Sequence, residues 1–309
     1  MEKKASVLTR PLVVVLLACF CNMLWGSAIP FINLGYRLFA IPAGEPQTQI
    51  LFAGCRFFLS GVLTVAFASI ASRKLVHPKK ENADKVVKLG LVQTAFQYLF
   101  FFIGVANTPS VKGAIIQGLN AFTAIVVACF VFRSEKMTVR KWLGGLLGVV
   151  GIVVVNLNGG AIDASFKLTG EVFLMISMVA GAYSNGLIKR YSQVDNPVAL
   201  SGWQFMFGGL VMAVCGFAAG GRLNPQGFGA VAVLLYLALL SAVAYTLWAV
   251  LLKVNPVSRV AVFTFLQPIF GVILSLILYG GENVPLMRCG IALVLVCASI
   301  VIVNKEKSR

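Results

Sequence analysis

Long apolar runs separated by short polar gaps dominate the chain. A helix needs about 20 residues to cross the hydrocarbon core of a bilayer, and it satisfies its own backbone hydrogen bonds there. Ten runs come close to this length, and Pro, Gly, Lys or Arg residues mark most of the gaps between them. The pattern predicts transmembrane helices over 11–32, 49–71, 86–106, 110–132, 139–157, 170–188, 198–219, 229–252, 257–280 and 285–304.

The chain also repeats itself weakly at a spacing of about 147 residues. The repeat divides the ten predicted helices into two units of five, over 10–157 and 168–304. The aligned positions pair Pro109–Lys112 with Pro256–Arg259, Tyr98 with Tyr245, Asn120 with Gln267 and, one residue out of phase, Arg56-Phe57 with Gln204-Phe205.

The distribution of Lys and Arg predicts the orientation. If the N-terminus is inside, 20 of the 26 basic residues lie on the inner side, five lie outside, and Arg56 lies within a helix. The positive-inside rule then places both termini in the cytoplasm. Lys112 and Arg259 are equivalent in the repeat yet fall on opposite sides, as two inverted units require. The predicted fold is therefore an all-α membrane protein with ten transmembrane helices in two inverted five-helix repeats, an arrangement typical of secondary transporters.

Composition supports a multi-pass protein of the cell membrane. Of the 309 residues 59% are hydrophobic and only 12% are charged, against about 25% charged in soluble domains. The net charge of +16 sits in short gaps rather than in a continuous stripe, so we expect no nucleic-acid partner. His77 is the single histidine and no cysteine pair has zinc-ligand spacing, so we expect neither a metal nor a cofactor.

Several motifs, in this order and spacing, resemble the EamA family of the drug/metabolite transporter superfamily. They are Leu24–Ser27, Arg56–Gly61, Lys112–Glu135, Trp142–Gly145 and, in the second unit, Arg259–Glu282. The resemblance covers nearly the whole chain. It implies a carrier for small metabolites in the inner or plasma membrane, often an exporter of amino acids or related compounds. It also implies a central cavity that is lined by both units and opens alternately to each side.

Polar and aromatic side chains at mid-membrane depth are the candidates for substrate binding, because burying them there is costly without a partner or a use. The alternative is structural: amides that bond between helices and aromatic rings that fill packing gaps. Repeat-equivalent pairs rank highest. The candidates are Trp25, Arg56, Gln97, Tyr98, Gln117, Asn120, Tyr183, Trp203, Gln204, Tyr245, Trp248 and Gln267.

Arg56 has two interpretations. It could hold a carboxylate or phosphate of the substrate, or it could be a structural arginine that bonds helix-end carbonyls or extends to the interface; the sequence favours the second. None of the ten acidic residues falls at mid-membrane, and only Glu171 is placed near a cavity. Ion-coupled carriers commonly use a buried carboxylate, so exchange or downhill flux is favoured.

Other functions fit less well. A channel usually needs a ring of like groups around a pore, and an intramembrane enzyme acting on lipid-like substrates needs an acid–base, metal or nucleophile set. We therefore expect no enzymatic activity, and a monomer or weak dimer that binds a small-molecule substrate within the lipid bilayer. Two packing features also stand out: Pro30 is a candidate helix kink, and Gly144, Gly148 and Gly151 form a close-packing face, favoured to lie within the fold rather than between subunits.

Overall fold

The computed structural model describes residues 7–42, 44–108, 110–156, 167–279 and 286–305, and in these ranges every regular element is helical. The α-helices are α1 (Pro11–Leu38), α2 (Pro46–Ser72), α3 (Ala83–Leu89), α4 (Gln97–Ala106), α5 (Ser110–Gly118), α6 (Asn120–Val126), α7 (Val139–Asn156), α8 (Phe173–Tyr191), α9 (Pro197–Ala218), α10 (Phe228–Val254), α11 (Val257–Ala261), α12 (Gln267–Tyr279) and α13 (Leu286–Asn304).

Short segments of other helical geometry join some of these helices. A π-helical segment connects α3 to α4, a second follows α6, and a third leads into α8, while a 3-10 segment joins α11 to α12. The three π segments are Gly90–Phe96, Val127–Val131 and Leu168–Val172, and the 3-10 segment is Val262–Leu266.

The prediction of an all-helical membrane fold is confirmed. Six helical stretches in the described residues are long and apolar enough to cross a membrane, over 11–38, 46–72, 80–106, 168–191, 197–218 and 228–254. Shorter apolar helices cover 115–131, 257–271 and 290–304. The count of ten spans and the cytoplasmic termini stay predictions.

Local sequence explains several helix ends. Pro46 and Pro197 each occupy the first turn of their helices, where the missing N–H costs nothing. The Asn196 side chain caps α9 by accepting from the Val198 N–H at 2.9 Å. α1 ends six residues later than predicted, at Leu38, and it contains Pro30, the candidate kink.

Helices α2 and α9 are equivalent in the repeat and pack against each other along their length. A Cβ atom on Gly54 would lie 2.8 Å from the Gly209 carbonyl oxygen, and one on Gly61 would lie 2.5 Å from that of Gly202. Position numbers rise along one helix as they fall along the other, so α2 and α9 run antiparallel. The Gly54–Gly209 and Gly61–Gly202 contacts also exchange with each other under the repeat alignment, as a two-fold relationship requires.

Helices α7 and α13, the last of each unit, form the second close pair. A Cβ on Gly144 would approach the Ser299 carbonyl oxygen to 3.1 Å, and one on Gly151 would approach that of Ala292 to 3.2 Å, so this pair is antiparallel too. The Ser299 hydroxyl donates to the Gly144 carbonyl at 2.6 Å. The expectation that these glycines pack within the fold is confirmed.

The two helix pairs are joined by two walls. On one side α1 packs against α10 and α12, and on the other α8 packs against α4 and α6. Since α8 is the second unit's counterpart of α1, each wall places the first helix of one unit between helices of the other unit. The walls are therefore shared between the two repeats.

Candidate functional site

A cluster of aromatic rings joins helices from both repeats. The Trp25 ring of α1 lies edge-to-face against two rings of α10, with centroids 5.0 Å from Tyr245 and 4.9 Å from Trp248. The Trp248 indole N–H donates to Asn185 Oδ1 of α8 at 3.2 Å. These contacts connect α1, α10 and α8 through side chains that the sequence placed at mid-membrane depth.

The cluster continues through two pairs of repeat-equivalent residues that touch each other. The Tyr98 and Tyr245 hydroxyls are hydrogen-bonded, and the Phe57 and Phe205 rings stack at 5.3 Å with an interplanar angle of 10°. Edge contacts link Phe205 to Tyr245 at 4.9 Å, and Phe57 packs on Tyr98 at 4.5 Å. A residue can contact its own equivalent only near the axis that relates the two units, so this axis passes through the cluster.

We call these six residues the axial aromatic cluster: Trp25, Phe57, Tyr98, Phe205, Tyr245 and Trp248.

Arg56 lies beside the axial aromatic cluster and is only 4% exposed. Its guanidinium carbon is 4.3 Å from the Phe57 ring centroid and 6.0 Å from that of Tyr98, which are cation–π distances. In the part of the chain that the structure describes, it makes no hydrogen bond, its Nε is buried without a partner, and no carboxylate pairs with it. The helix-end carbonyl bonds expected of a structural arginine are thus not formed among these residues.

Buried polar atoms without a protein partner mark the same region. The Trp25 indole N–H is such an atom, as is Arg56 Nε, judged against the described residues. An unsatisfied buried donor costs about 1–3 kcal/mol, so native proteins leave few of them. Others occur elsewhere in the fold, on Asn22, Ser60, Gln93, Asn120, Gln204, Thr246 and Asn255.

Four further candidates lie on helices that border the cluster. Gln97 begins α4 and packs over Gly181 of α8, where an added Cβ would stand 2.9 Å from the amide nitrogen. Gln117 and Asn120 flank the break between α5 and α6, and both are half-buried. Gln267 begins α12, and its backbone oxygen faces the close approach of that helix to α1.

Three candidates make their contacts elsewhere. Trp203 donates its indole N–H to the Val76 carbonyl at 3.0 Å, in the connection between α2 and α3. Gln204 is fully buried and accepts from the Thr94 hydroxyl at 2.8 Å, between α9 and the first π segment. Tyr183 packs on Phe132 at 5.1 Å and lines a groove on the outer surface of α8. Their role in substrate binding stays a prediction.

Sequence reasoning left Phe57 and Phe205 out of the candidate set, although both belong to the cluster. The signal for them was present, because the repeat aligns them one residue out of phase. It was missed because polar and amphipathic side chains were ranked above phenylalanine, which usually indicates simple packing.

Polar contacts link the two repeats at each predicted end of the bundle. At the predicted outer end, Lys112 Nζ pairs with Glu171 Oε1 at 2.9 Å, and the second Glu171 oxygen accepts from the Lys167 N–H at 2.8 Å. At the predicted cytoplasmic end, Glu135 pairs with Lys141 at 3.1 Å and accepts from both the backbone and the hydroxyl of Ser258. Glu171 and Glu135 therefore each make a polar contact between a helix end of one unit and the other unit.

Asp195, in the connection between α8 and α9, makes a third link between the units. It accepts from the Asn82 side chain at 2.7 Å and from the Lys79 N–H at 2.9 Å. Burial raises the pKa of Asp195, but these bonds, a further one from the Asn196 N–H and the charge of Lys79 outweigh burial, so the net pKa is lowered.

Comparison with known proteins gives a consistent result. The model of the EamA-like transporter family matches twice, over residues 12–157 and 168–305. A WAT1-related chloroplast protein of Arabidopsis thaliana is 26% identical, over 88% of this chain and 67% of its own. An uncharacterized inner membrane transporter of Escherichia coli is 24% identical, over 92% and 88%.

A "probable amino-acid metabolite efflux pump" of Salmonella typhimurium is 25% identical, over 90% of this chain and 91% of its own. A solved structure described only as "Crystal structure of protein" shares the fold, with a TM-score of 0.77 at 15% identity, covering 94% of this chain and 98% of that one.

Proposed function

The chain belongs to the EamA-like transporter family, and we propose that it exports small carboxylate-bearing metabolites, amino acids or related compounds, by alternating access. Its family makes it a multi-pass membrane transporter for a small molecule. The proposal adds the substrate class, the direction and the mechanism. It also includes ten spans, units over 10–157 and 168–304, and both termini in the cytoplasm.

The axial position of the aromatic cluster is the observation that carries the proposal. In transporters built from inverted repeats, the substrate site lies near the bilayer midplane at the interface between the repeats. The contacts of Tyr98 with Tyr245 and of Phe57 with Phe205 mark that interface. Trp25 is half-buried and extends it with a large face on which an apolar or aromatic portion of a substrate can pack, while the buried Trp248 ring supports Trp25.

Arg56 supplies the chemical preference. A buried guanidinium is costly unless its charge is compensated, and Arg56 lies against the Phe57 and Tyr98 rings without a carboxylate partner among the described residues. Its planar fork matches a carboxylate in two-point geometry. A substrate carboxylate at Arg56 would compensate the charge, while the Trp25 N–H, beside Tyr245 and Trp248 of the same cluster, offers a second donor. This arrangement favours amino acids and organic acids over amines.

The links at the two ends suggest how access alternates. The Lys112–Glu171 pair and the Glu135–Ser258 contact each join one unit to the other, at opposite predicted faces. Breaking one link while the other holds would open the cluster to a single side. The similarity to the Salmonella typhimurium protein named a "probable amino-acid metabolite efflux pump" supports export as the direction.

Counterflow in proteoliposomes tests the proposal. Vesicles loaded with unlabelled phenylalanine should take up labelled phenylalanine faster than empty vesicles. The reason is that the carrier returns to the outer face with internal substrate bound and does not have to reorient empty. A channel would show no such acceleration. Phenylalanine, its amide and phenethylamine should be compared, since they differ at the carboxylate. A panel of other amino acids and organic acids should be run in parallel.

Trp25→Ala and Trp142→Ala form a matched pair. Trp142 packs on Phe122 at 5.2 Å, outside the axial aromatic cluster, and is 44% exposed. Folding of both variants is checked by circular dichroism and size-exclusion chromatography. Loss of counterflow in the first variant only is the expected result. Equal loss in both, or no saturable flux of any carboxylate by folded wild type, would contradict the proposal.

A further inference from the structure

A groove on the outer surface of the bundle is separate from the axial aromatic cluster. It lies between the α3–α4 stretch and the end of α6, with α8 as its floor. Its apolar part has a volume of about 600 Å³ and is lined by Leu91, Val92, Phe96, Val127, Val131, Val172, Met175, Ile176, Val179, Ala180 and Tyr183. Five of these side chains are more than 40% exposed, as expected where the protein meets lipid.

All three π-helical segments of the described chain border this groove. Leu91 and Phe96 come from the first, Val127 and Val131 from the second, and Val172 from the third. A π segment inserts an extra residue into a helix and is frequently found at functional sites. Three of them around one groove indicate that its shape is more than a by-product of packing.

The groove becomes basic at its predicted cytoplasmic end. A second recess of about 410 Å³ shares Tyr183 with the apolar part and is lined by Lys85, Lys88 and Arg190, together with Phe132, Leu187, Tyr191 and Val194. No lining residue of either part is acidic. Lys85 bonds the Asn82 side chain, whereas Lys88 and Arg190 are exposed and have no carboxylate partner among the described residues.

The length of the apolar part matches one leaflet of a bilayer. From Tyr183 to Val172 is eleven residues of helix, or about 16 Å at about 1.5 Å per residue. Half of a hydrocarbon core of about 30 Å is about 15 Å. A chain lying along this part would therefore end near the midplane while its head remained beside the cations.

We propose that this groove binds an anionic phospholipid of the cytoplasmic leaflet. An acyl chain lies along the apolar part over α8, and the phosphate of the headgroup lies against Lys88 and Arg190. Basic recesses between helices on the cytoplasmic side are suited to acidic headgroups, with each Lys or Arg near the membrane surface contributing on the order of 1 kcal/mol. The apolar length and the basic end together select a lipid over a soluble anion, which would use only the basic end.

The bound lipid would have a structural consequence for the transporter. The groove separates two helices of the first unit, α4 and α6, that pack on the same helix of the second unit. A lipid seated there contacts helices of both units at once. It would therefore favour whichever arrangement of the units keeps the groove at this width.

The test is a titration of the full-length protein in detergent with dioleoylphosphatidylglycerol, dioleoylphosphatidylcholine or inorganic phosphate. Binding is followed by native mass spectrometry and by the shift in Tm. Phosphatidylglycerol should bind and raise Tm, with little effect of phosphatidylcholine or phosphate. Lys88→Gln with Arg190→Gln should weaken phosphatidylglycerol binding on the order of 30-fold, the product of about fivefold per charge.

Two variants sharpen the test. Lys74→Gln with Lys136→Gln removes the same two charges from exposed positions outside the groove, and it should leave binding unchanged. Val179→Trp fills the apolar part at a side chain that is 53% exposed, and it should abolish binding although both cations remain.

Four results would overturn the proposal. Equal binding of phosphatidylcholine would remove the charge requirement, and an equal Tm shift with inorganic phosphate would indicate an anion site. Equal weakening in the control pair would indicate a general charge effect, and light scattering that shows a second copy covering the groove would indicate an oligomer interface. None of these outcomes depends on transport, so the proposal can fail while the proposed function stands.

Discussion

Replacing Arg56 with Gln separates its two possible roles. The change removes the charge and keeps a polar side chain, at a residue that is 4% exposed and whose guanidinium carbon lies 4.3 Å from the Phe57 ring centroid. If Arg56 holds a substrate carboxylate, transport of carboxylates should suffer while folding does not. If Arg56 is structural, folding should suffer first.

The two roles predict different changes in KM and in the free energy of unfolding. A hydrogen bond to a charged group contributes about 1.5–3 kcal/mol, so KM for phenylalanine should rise about 10- to 150-fold. For stability, the variant loses a cation–π contact of about 0.5–2 kcal/mol. It also relieves the burial of a charge, which costs about 2.5–3.5 kcal/mol at mid-membrane. The free energy of unfolding should therefore be unchanged or raised by up to about 3 kcal/mol.

The assay combines counterflow kinetics with thermal unfolding of the same preparations. Arg73→Gln, at an exposed position after α2, controls for the loss of one positive charge. Arg56→Lys keeps the charge but not the two-point geometry and should recover only part of the affinity. An equal rise in KM for phenethylamine, or a fall in Tm that accounts for the lost flux, would refute the carboxylate role.

Three other predictions concern packing and the links between the units. Gly54→Ala places a Cβ 2.3 Å from the Ala213 nitrogen and should lower the free energy of unfolding by about 1–3 kcal/mol. Gly290→Ala adds a Cβ with no atom within 4 Å and should not lower it. Equal effects of the two changes on thermal unfolding would contradict the contact between α2 and α9. Glu171→Gln removes the carboxylate that pairs with Lys112 and should raise hydrogen exchange in α5, so unchanged exchange would count against a link at this end. Folding lowers the pKa of Asp195, so its ionised carboxylate stabilises the folded protein. This contribution to the free energy of unfolding is complete above the unfolded-state pKa of about 3.9 and is lost as the pH falls through the folded-state pKa. The Tm of the wild type should therefore fall at acid pH, and Asp195→Asn should make that fall smaller. An identical dependence of Tm on pH in the two proteins would show that the bonds to Asn82 and Lys79 contribute nothing.

Much of the helical framework could be predicted because bilayer length and turn chemistry act locally. Pro46 and Pro197 were assigned to the gaps before helices predicted from 49 and 198, and they form the first residues of α2 and α9, within three residues of the predicted starts. The end of α1 was predicted six residues too early, at residue 32, although Pro30 was already placed within the helix. A transmembrane helix tolerates a proline when neighbouring groups satisfy the freed backbone carbonyl. The three π segments were not predicted, because an extra residue in a helix is stabilised by tertiary packing and leaves no periodic signal.

The candidate site was predicted unevenly. The Tyr98–Tyr245 pair followed from the repeat, and the two residues do meet. Trp203 and Gln204 were chosen on the same grounds, as polar or aromatic residues at mid-membrane depth. Trp203 instead bonds a carbonyl in the α2–α3 connection, and Gln204 bonds Thr94 of the neighbouring π segment. Residue type alone cannot separate these roles, since an amide or an indole at mid-depth serves packing as readily as binding. The cations of the surface groove were used only to predict orientation.

The contacts on the axis have an evolutionary consequence. If the two units once existed as separate identical chains, the Phe57–Phe205 stack would have joined a residue to its own copy. The Gly54–Gly209 and Gly61–Gly202 contacts would have been two copies of one contact. In such a dimer a change at one position appears twice, and an arginine at position 56 would have faced the axis from both sides. Fusion into one chain allows Arg56 to stand opposite Gln204, so a single cation lies beside a symmetric framework. A head-to-tail duplication thereby gives a two-fold scaffold the polarity needed to recognise a molecule that has no symmetry of its own.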